Sequence, residues 1–212
     1  MNFSGAIFDM DGTLLDSMGV WRGITARFLE RRGIALSDEM TEKFRSMTLE
    51  ESLPLIVDIF KLSDSVDKVF DEFNELAKEE YMNNILFKPY AKRYLQKLHG
   101  NGIKIAIATS GYDALCRGAL KRLGALDYID AIALSSEVGV NKGNPDVYLL
   151  AAERLGVAPA ECMVYEDILL GIKGAKKAGM YTTAVADPSN DNEWEELKTT
   201  ADMYILSWDE LL

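Results

Sequence analysis

Cysteine and histidine are nearly missing from this sequence. Its 212 residues hold two cysteines, Cys116 and Cys162, and one histidine, His99. Structural zinc needs several such ligands, and no Cys-x-x-Cys pair exists, which argues against it. One histidine, with no serine or cysteine in a nucleophile elbow, also argues against His-dependent triads. Basic residues are scarce too: 23 Lys and Arg face 34 Asp and Glu, a net charge of -11. Binders of nucleic acid and of anionic membranes work through basic patches, so neither partner is expected. A small anionic substrate stays open, because one local cation outweighs a surface field screened beyond about 8–10 Å. No apolar run approaches the roughly 20 residues of a membrane span. Met1-Asn2-Phe3-Ser4-Gly5 carries no basic leader, so both cysteines read as reduced thiols of a cytoplasmic protein.

What is present is ordinary globular material. The chain is 48% hydrophobic and 27% charged, which argues against disorder. The length suits one large domain or two smaller ones and can bury a core without staples. Short apolar runs alternate with helical patterns. The runs are Ala6-Ile7-Phe8, Ile103 to Ala108, Ile129 to Leu134, Cys162 to Tyr165, Thr182 to Ala186 and Met203 to Leu206. They are nearly continuous, as strands buried on both faces should be. Helices are expected from Tyr90 to Leu98, Ala114 to Leu123, Val147 to Leu155 and Ile168 to Ala178, the last two closing on Gly156 and Gly179. This alternation predicts an α/β fold, a Rossmann-like doubly wound parallel sheet.

One region breaks the alternation. Between about Met18 and Ile85 no strand is predicted. Val66, Val69, Phe70, Phe73, Leu76, Ala77 and Tyr81 recur at spacings of three and four, one face of a long helix. Trp21 to Leu29 and Glu50 to Phe60 also read as helices, and Ser37 before Asp38 and Glu39 reads as a helix start. Lys88-Pro89-Tyr90 marks the return to the α/β body. The predicted division is a core of residues 1–16 and 86–212 and a small all-helical domain of residues 17–85.

Four clusters of reactive side chains each follow a predicted strand, on the edge where open α/β sheets bind ligands. The first is Asp9-Met10-Asp11-Gly12-Thr13. Two carboxylates about 4 Å apart repel by about 4 kcal/mol at an effective dielectric of 20, and a bound cation would relieve that. An acidic strand-end turn is the plainer reading. The second is Thr109-Ser110-Gly111, fitted either to an anion or to capping the next helix, with Asp113 as another candidate cap. The third is Asn141-Lys142-Gly143-Asn144-Pro145-Asp146, where Lys142 either enters a site or lies in solvent. The fourth is Tyr165-Glu166-Asp167-Ile168, either metal ligands or acids near a helix N-terminus. Together the clusters make one kit. Its carboxylates suit a hard cation such as octahedral Mg²⁺, while Thr109 and Lys142 suit the oxygens of a phosphate.

In that order and over essentially the whole chain, these motifs resemble the haloacid dehalogenase-like superfamily of phosphohydrolases. The helical insert resembles that family's cap domain, placed after the first motif. The resemblance implies Asp9 as nucleophile, forming an aspartyl-phosphate, and Asp11 as general acid and then base. It implies Thr109 and the Ser110 backbone as holders of the phosphoryl group and Lys142 as its counter-charge. Mg²⁺ would be bound by the Asp9 carboxylate, the Asp11 backbone carbonyl and Asp167, with Glu166 acting directly or through water. The cap would close to exclude water.

Details of the motifs narrow the expectation. Relatives that cleave C–Cl bonds lack the second carboxylate, so Asp11 favours phosphate esters. Phosphonate-cleaving relatives use a cap lysine, and Lys43, Lys61, Lys68 and Lys78 have no matching context. The third motif commonly reads Gly-Lys-Pro; here it is Asn141-Lys142-Gly143. The fourth often has Ser where Ile168 stands, which puts a hydrogen bond behind the ligand in doubt. β-Phosphoglucomutase-like relatives carry a His where Trp21 stands, a Lys where Tyr112 stands and a basic residue where Leu49 stands. Hydrolysis is therefore expected over transfer to a second hydroxyl. Trp21, Met47, Leu49 and Tyr112 are candidates for substrate selection, with Phe44 beside them; packing within the insert is the alternative. A phospho-accepting receiver module shares the acid, hydroxyl and lysine kit, but places its acceptor on a later strand and lacks such an insert. The expectation is a monomeric Mg²⁺-dependent phosphatase of a small phosphorylated metabolite.

Overall fold

A computed structural model describes residues 3–45, 47 and 49–212, without the side chains of residues 21, 22, 38, 42, 45, 49 and 50. The chain divides into two compact units. One is Met1–Asp16 with Leu86–Leu212, and the other is Ser17–Ile85.

The larger unit is built on six parallel strands: β1 (Gly5–Phe8), β2 (Lys104–Thr109), β3 (Ala131–Leu134), β4 (Cys162–Glu166), β5 (Tyr181–Val185) and β6 (Met203–Ile205). Their order across the sheet is β3-β2-β1-β4-β5-β6. The chain thus works outward from β1 to β3 and then returns to place β4 on the other side of β1. That reversal opens a crevice at the carboxyl ends of β1 and β4. The register sets Phe8 opposite both Ile107 and Tyr165, so the residues after Phe8, Ile107 and Tyr165 emerge on one edge.

Strand alternation divides the core between two faces. Ile7 and Val164 join Ala106, Ala108 and Ala133 against Val147, Tyr148, Ala151 and Ala175. Phe8 and Tyr165 belong to a second, aromatic cluster. Their rings stack at 4.6 Å, and Tyr94 and Trp208 pack around them. Each fully buried side chain of this size contributes about 1.5–3 kcal/mol. The polar atoms inside are partnered: the Tyr94 and Tyr165 hydroxyls lie 2.5 Å apart, and Trp208 Nε1 donates to the Thr13 carbonyl at 3.2 Å.

The helical unit holds α1 (Met18–Glu30), α2 (Asp38–Arg45), α3 (Leu49–Ile59) and α4 (Val66–Asn83). Its own core includes Ile24, Phe28, Leu29, Phe44, Ile56, Val69, Phe73 and Leu76. Ser65 caps α4 by accepting from the Lys68 N–H, and Arg27 pairs with the nearly buried Glu80. The larger unit adds α5 (Ala91–Gly100), α6 (Asp113–Arg122), α7 (Ser135–Val138), α8 (Asp146–Leu155), α9 (Leu169–Lys177) and α10 (Trp194–Thr200). Gly156 ends α8 with a left-handed φ of 66°, the conformation glycine adopts without strain.

Three details differ from the sequence reading. The short α7 was not anticipated; the Glu137 carboxylate holds it by accepting from the Leu134 N–H at 2.8 Å. The last strand stops at Ile205, because Glu210 takes the N–H groups of Leu206 and Ser207. Burial on both faces fits β1 and β4 but fails at β6, where Met203 and Tyr204 are exposed. Among the described residues no helix is long and apolar enough to cross a membrane.

Candidate active site

Asp9 follows β1 directly, and its N–H donates to the Tyr165 carbonyl on β4. The chain then turns sharply. Leu14 and Leu15 donate back to the Met10 carbonyl, and Gly12 takes a φ of 83°, a value open to glycine at little cost. The turn carries Thr13 to the end of β4, where its hydroxyl donates to Asp167 Oδ1 at 3.1 Å. Glu166 ends β4, and Asp167 follows it. Lys142 arrives on the connection between α7 and α8. Its Nζ donates to Asp9 Oδ1 and, at 2.6 Å, to Glu166 Oε1.

Burial makes this cluster electrostatically tense. Glu166 is 0% exposed, and Asp9, Asp167 and Lys142 are nearly as hidden. Ligand oxygens of Asp9, Glu166 and Asp167 lie within 4.8 Å of one another. At that separation and an effective dielectric of 20, each ionised pair repels by about 3.5 kcal/mol. Burial raises the Glu166 carboxyl, against the pull of Lys142, and Asp9 adds to the rise. Burial raises Asp167 well above the usual carboxylate range, and Asp9 and Glu166 push the same way. Burial works against the Lys142 ammonium, but Asp9 and Glu166 outweigh it and hold the lysine charged. One ammonium among three carboxylates leaves negative charge unmatched. Glu166 Oε2 is also buried with no hydrogen-bond partner. An all-oxygen donor set, an orphaned anionic oxygen and surplus negative charge together fit a hard divalent cation.

The remaining predicted residues take varied places. Asp11 is half-buried, and its carboxylate is not one of the clustered three. Its Oδ2 lies 3.8 Å, and Thr109 Oγ1 3.3 Å, from where a Cβ on Gly111 would sit. Thr109 is buried, and its hydroxyl accepts from the Gly111 N–H at 3.0 Å. Neither Thr109 nor Ser110 caps α6; Tyr112 holds that position without a side-chain bond. Asp113 instead pairs with Arg117. Ser110 Oγ lies 3.1 Å from Ser135 Oγ. Tyr112 is about half exposed. Met47 packs half-buried against the core of the helical unit, which includes Phe44. The side chains of Trp21 and Leu49 lie outside the described residues.

Three supporting residues, Asn190, Tyr148 and Gly174, were not singled out from sequence. Asn190 Nδ2 donates to Asp167 Oδ2 at 2.8 Å and to the Asp167 carbonyl at 3.1 Å. It supplies Asp167 with the hydrogen bond that Ile168 left in doubt. Tyr148, on α8, donates to Glu166 Oε1 at 2.7 Å. Gly171 and Gly174 lie three residues apart on α9, one face of the helix. A Cβ on Gly171 would fall 2.4 Å from the Glu166 carboxyl carbon, and one on Gly174 would fall 1.9 Å from the Lys142 carbonyl oxygen. Two glycines spaced for one helix face were the signal available. Gly143 gives the third motif its shape: its N–H donates to Asn141 Oδ1, and a Cβ there would strike Leu170.

Residues 6–185 match the family model described as haloacid dehalogenase-like hydrolase. The phosphorylated carbohydrates phosphatase of Thermotoga maritima is 30% identical over 177 residues, covering 82% of this chain and 81% of that protein. The β-phosphoglucomutase of Bacillus subtilis is 30% identical over 197 residues, covering 84% of this chain and 81% of that one. A crystal structure from Thermotoga maritima, provisionally assigned as a β-phosphoglucomutase, superposes with a TM-score of 0.88 at 27% identity. That match spans 98% of this chain and 96% of the other.

Proposed function

The chain belongs to the haloacid dehalogenase-like hydrolases, and we propose that within this family it is a Mg²⁺-dependent phosphatase of a small phosphate monoester, such as a sugar phosphate. The observation that carries this reading is the convergence of Asp9, Lys142, Glu166 and Asp167 at the switch point of the sheet. The likeness to a phosphatase of phosphorylated carbohydrates supports the substrate class.

In this reading an Asp9 oxygen attacks phosphorus while the ester P–O bond breaks, giving an aspartyl-phosphate. Asp11 gives its proton to the departing oxygen. As a carboxylate it then takes a proton from water, whose oxygen attacks phosphorus and releases phosphate and Asp9. Asp11 sits past β1 beside the Gly12 turn, off the buried trio. Lys142 offsets charge on the phosphoryl oxygens, and the Thr109 hydroxyl and Ser110 backbone position them. Mg²⁺ held by Asp9, Glu166, Asp167 and the Asp11 carbonyl would supply further charge neutralisation there. Trp21, Met47, Leu49 and Tyr112 are the candidates for choosing the substrate.

Phosphomutase activity is the second reading, favoured by the likeness to β-phosphoglucomutase. Against it stand Trp21, Leu49 and Tyr112 at positions where mutase-like relatives carry a His, a basic residue and a Lys. One experiment separates the two. A panel of phosphate esters is assayed for phosphate release with Mg²⁺, and glucose 1-phosphate isomerisation is followed in parallel. Release without isomerisation is expected, with both Asp9→Asn and EDTA abolishing it. Isomerisation outrunning release would transfer the assignment to a mutase, and normal turnover by Asp9→Asn would reject Asp9 as nucleophile.

A further inference from the structure

Glu166 has two chemically equivalent oxygens in very different surroundings. Oε1 accepts from Lys142 Nζ at 2.6 Å and from the Tyr148 hydroxyl at 2.7 Å. Oε2 is buried and accepts from nothing. The carboxylate also lies flat against α9: the place of a Cβ on Gly171 is 2.4 to 2.7 Å from its carbon and both oxygens. A carboxylate in such a slot can still rotate or withdraw unless something fixes one end.

Tyr148 is built to fix it. Its ring is 0% exposed and packs in the core with Val147, Ala151 and Val164. It belongs to α8, which Pro145 precedes and Gly156 closes. A tyrosine hydroxyl has one proton to give. That proton lies on the line to Glu166 Oε1. Lys142 Nζ also donates to Asp9, whereas the Tyr148 hydroxyl donates to Glu166.

We propose that Tyr148 is a positioning residue: with Lys142 it ties Oε1 of Glu166, so that Oε2 is the oxygen presented to the divalent cation. This rests on the cation-dependent reading of the site. Groups of this kind behind a metal ligand typically contribute about 10–100-fold in metal affinity.

The test is Tyr148→Phe, which keeps the buried ring and removes one hydroxyl. Mn²⁺ binding is measured without substrate by electron paramagnetic resonance, on wild type, Tyr148→Phe, Glu166→Gln and the double variant. The expected result is about 10-fold weaker Mn²⁺ binding by Tyr148→Phe, with no additional loss when it is combined with Glu166→Gln. In turnover assays the Mg²⁺ concentration for half-maximal rate should rise, while the rate at saturating Mg²⁺ recovers most of the wild-type value. A purely structural role would lower the melting temperature and leave Mn²⁺ affinity unchanged. Affinity within twofold of wild type, or equal loss in the Glu166→Gln background, overturns the proposal. Failure of wild type to bind Mn²⁺ overturns the cation reading beneath it instead. Should Tyr148→Phe not fold, wild-type protein with ring-labelled tyrosine gives the answer. The Tyr148 Cζ resonance should move as Mg²⁺ is added, and an unmoved resonance at saturation rejects the link.

Discussion

Replacing Gly174 with alanine sets two opposed effects against each other at one atom. In mid-helix the change from glycine to alanine should stabilise by about 0.5–1 kcal/mol. At Gly174 the new Cβ would sit 1.9 Å from the Lys142 carbonyl oxygen and 2.9 Å from that of Asn144. Both obstacles are backbone, so no side chain can swing aside. The loop must retreat by more than 1 Å to reach even the 3.0 Å that real Cβ contacts respect. Overpacking of this kind costs about 1–3 kcal/mol, which exceeds the helical gain. The net cost of about 0.5–2 kcal/mol lowers the melting temperature of a chain of this size by about 1–8 °C. Function should suffer more, because the displaced segment carries Lys142. A misplacement of about 1 Å is worth about 100-fold in rate. The assay is thermal melting by circular dichroism plus kcat/KM on whichever ester is turned over. Gly23→Ala on α1 is the control. Nothing lies within 4 Å of its added Cβ, so it should hold or gain stability by about 0.5–1 kcal/mol. If Gly174→Ala melts no lower than wild type and keeps kcat/KM within twofold, the argument from close approach is wrong.

Three further perturbations probe other parts of the molecule. Asn190→Ala removes the donor at 2.8 Å from Asp167, and the Mg²⁺ requirement measured by turnover should rise about 10-fold; an unchanged requirement would leave Asn190 without that role. Asp130 and Asp202 secure the starts of β2 and β5. Burial opposes their ionisation, but Lys104 and the Ile105 N–H outweigh it for Asp130, and Lys176 and Thr182 do so for Asp202. Both therefore titrate below the ordinary value of about 3.9. Their contribution is complete above that pH and is lost as pH falls through the depressed folded values. Asp130→Asn with Asp202→Asn should flatten the loss of stability below about pH 4, measured by urea unfolding, and an unaltered pH profile would contradict this. Burial pushes the Cys162 thiol up to about 11 and raises Cys116 further, with Asp11 adding to the latter. Native protein at pH 8 should resist iodoacetamide and take two labels only when unfolded, as read by mass spectrometry.

The sequence by itself determined the strands and most helices, because their signals are local. Apolar runs bounded by turn residues marked β1, β2 and β4, and a three-four spacing marked α4. It also made Asp9, Thr109, Lys142, Glu166 and Asp167 the candidates, since each directly follows or closes an apolar run, or sits in a turn cluster between elements. It could not say which oxygen of Glu166 is taken and which is left. Nor could it point to Tyr148, which on α8 looks like any buried aromatic until β4 is laid beside it. Asn190 lies 23 residues beyond Asp167, in a loop whose sequence gives no hint of a partner. Ile168 left a gap that tertiary structure filled from elsewhere. The close approach of α9 to Lys142 and Glu166 was likewise decided in space: a glycine's spacing is legible in one dimension, but the carbonyl or carboxylate that needs its missing methyl belongs to another segment of the chain.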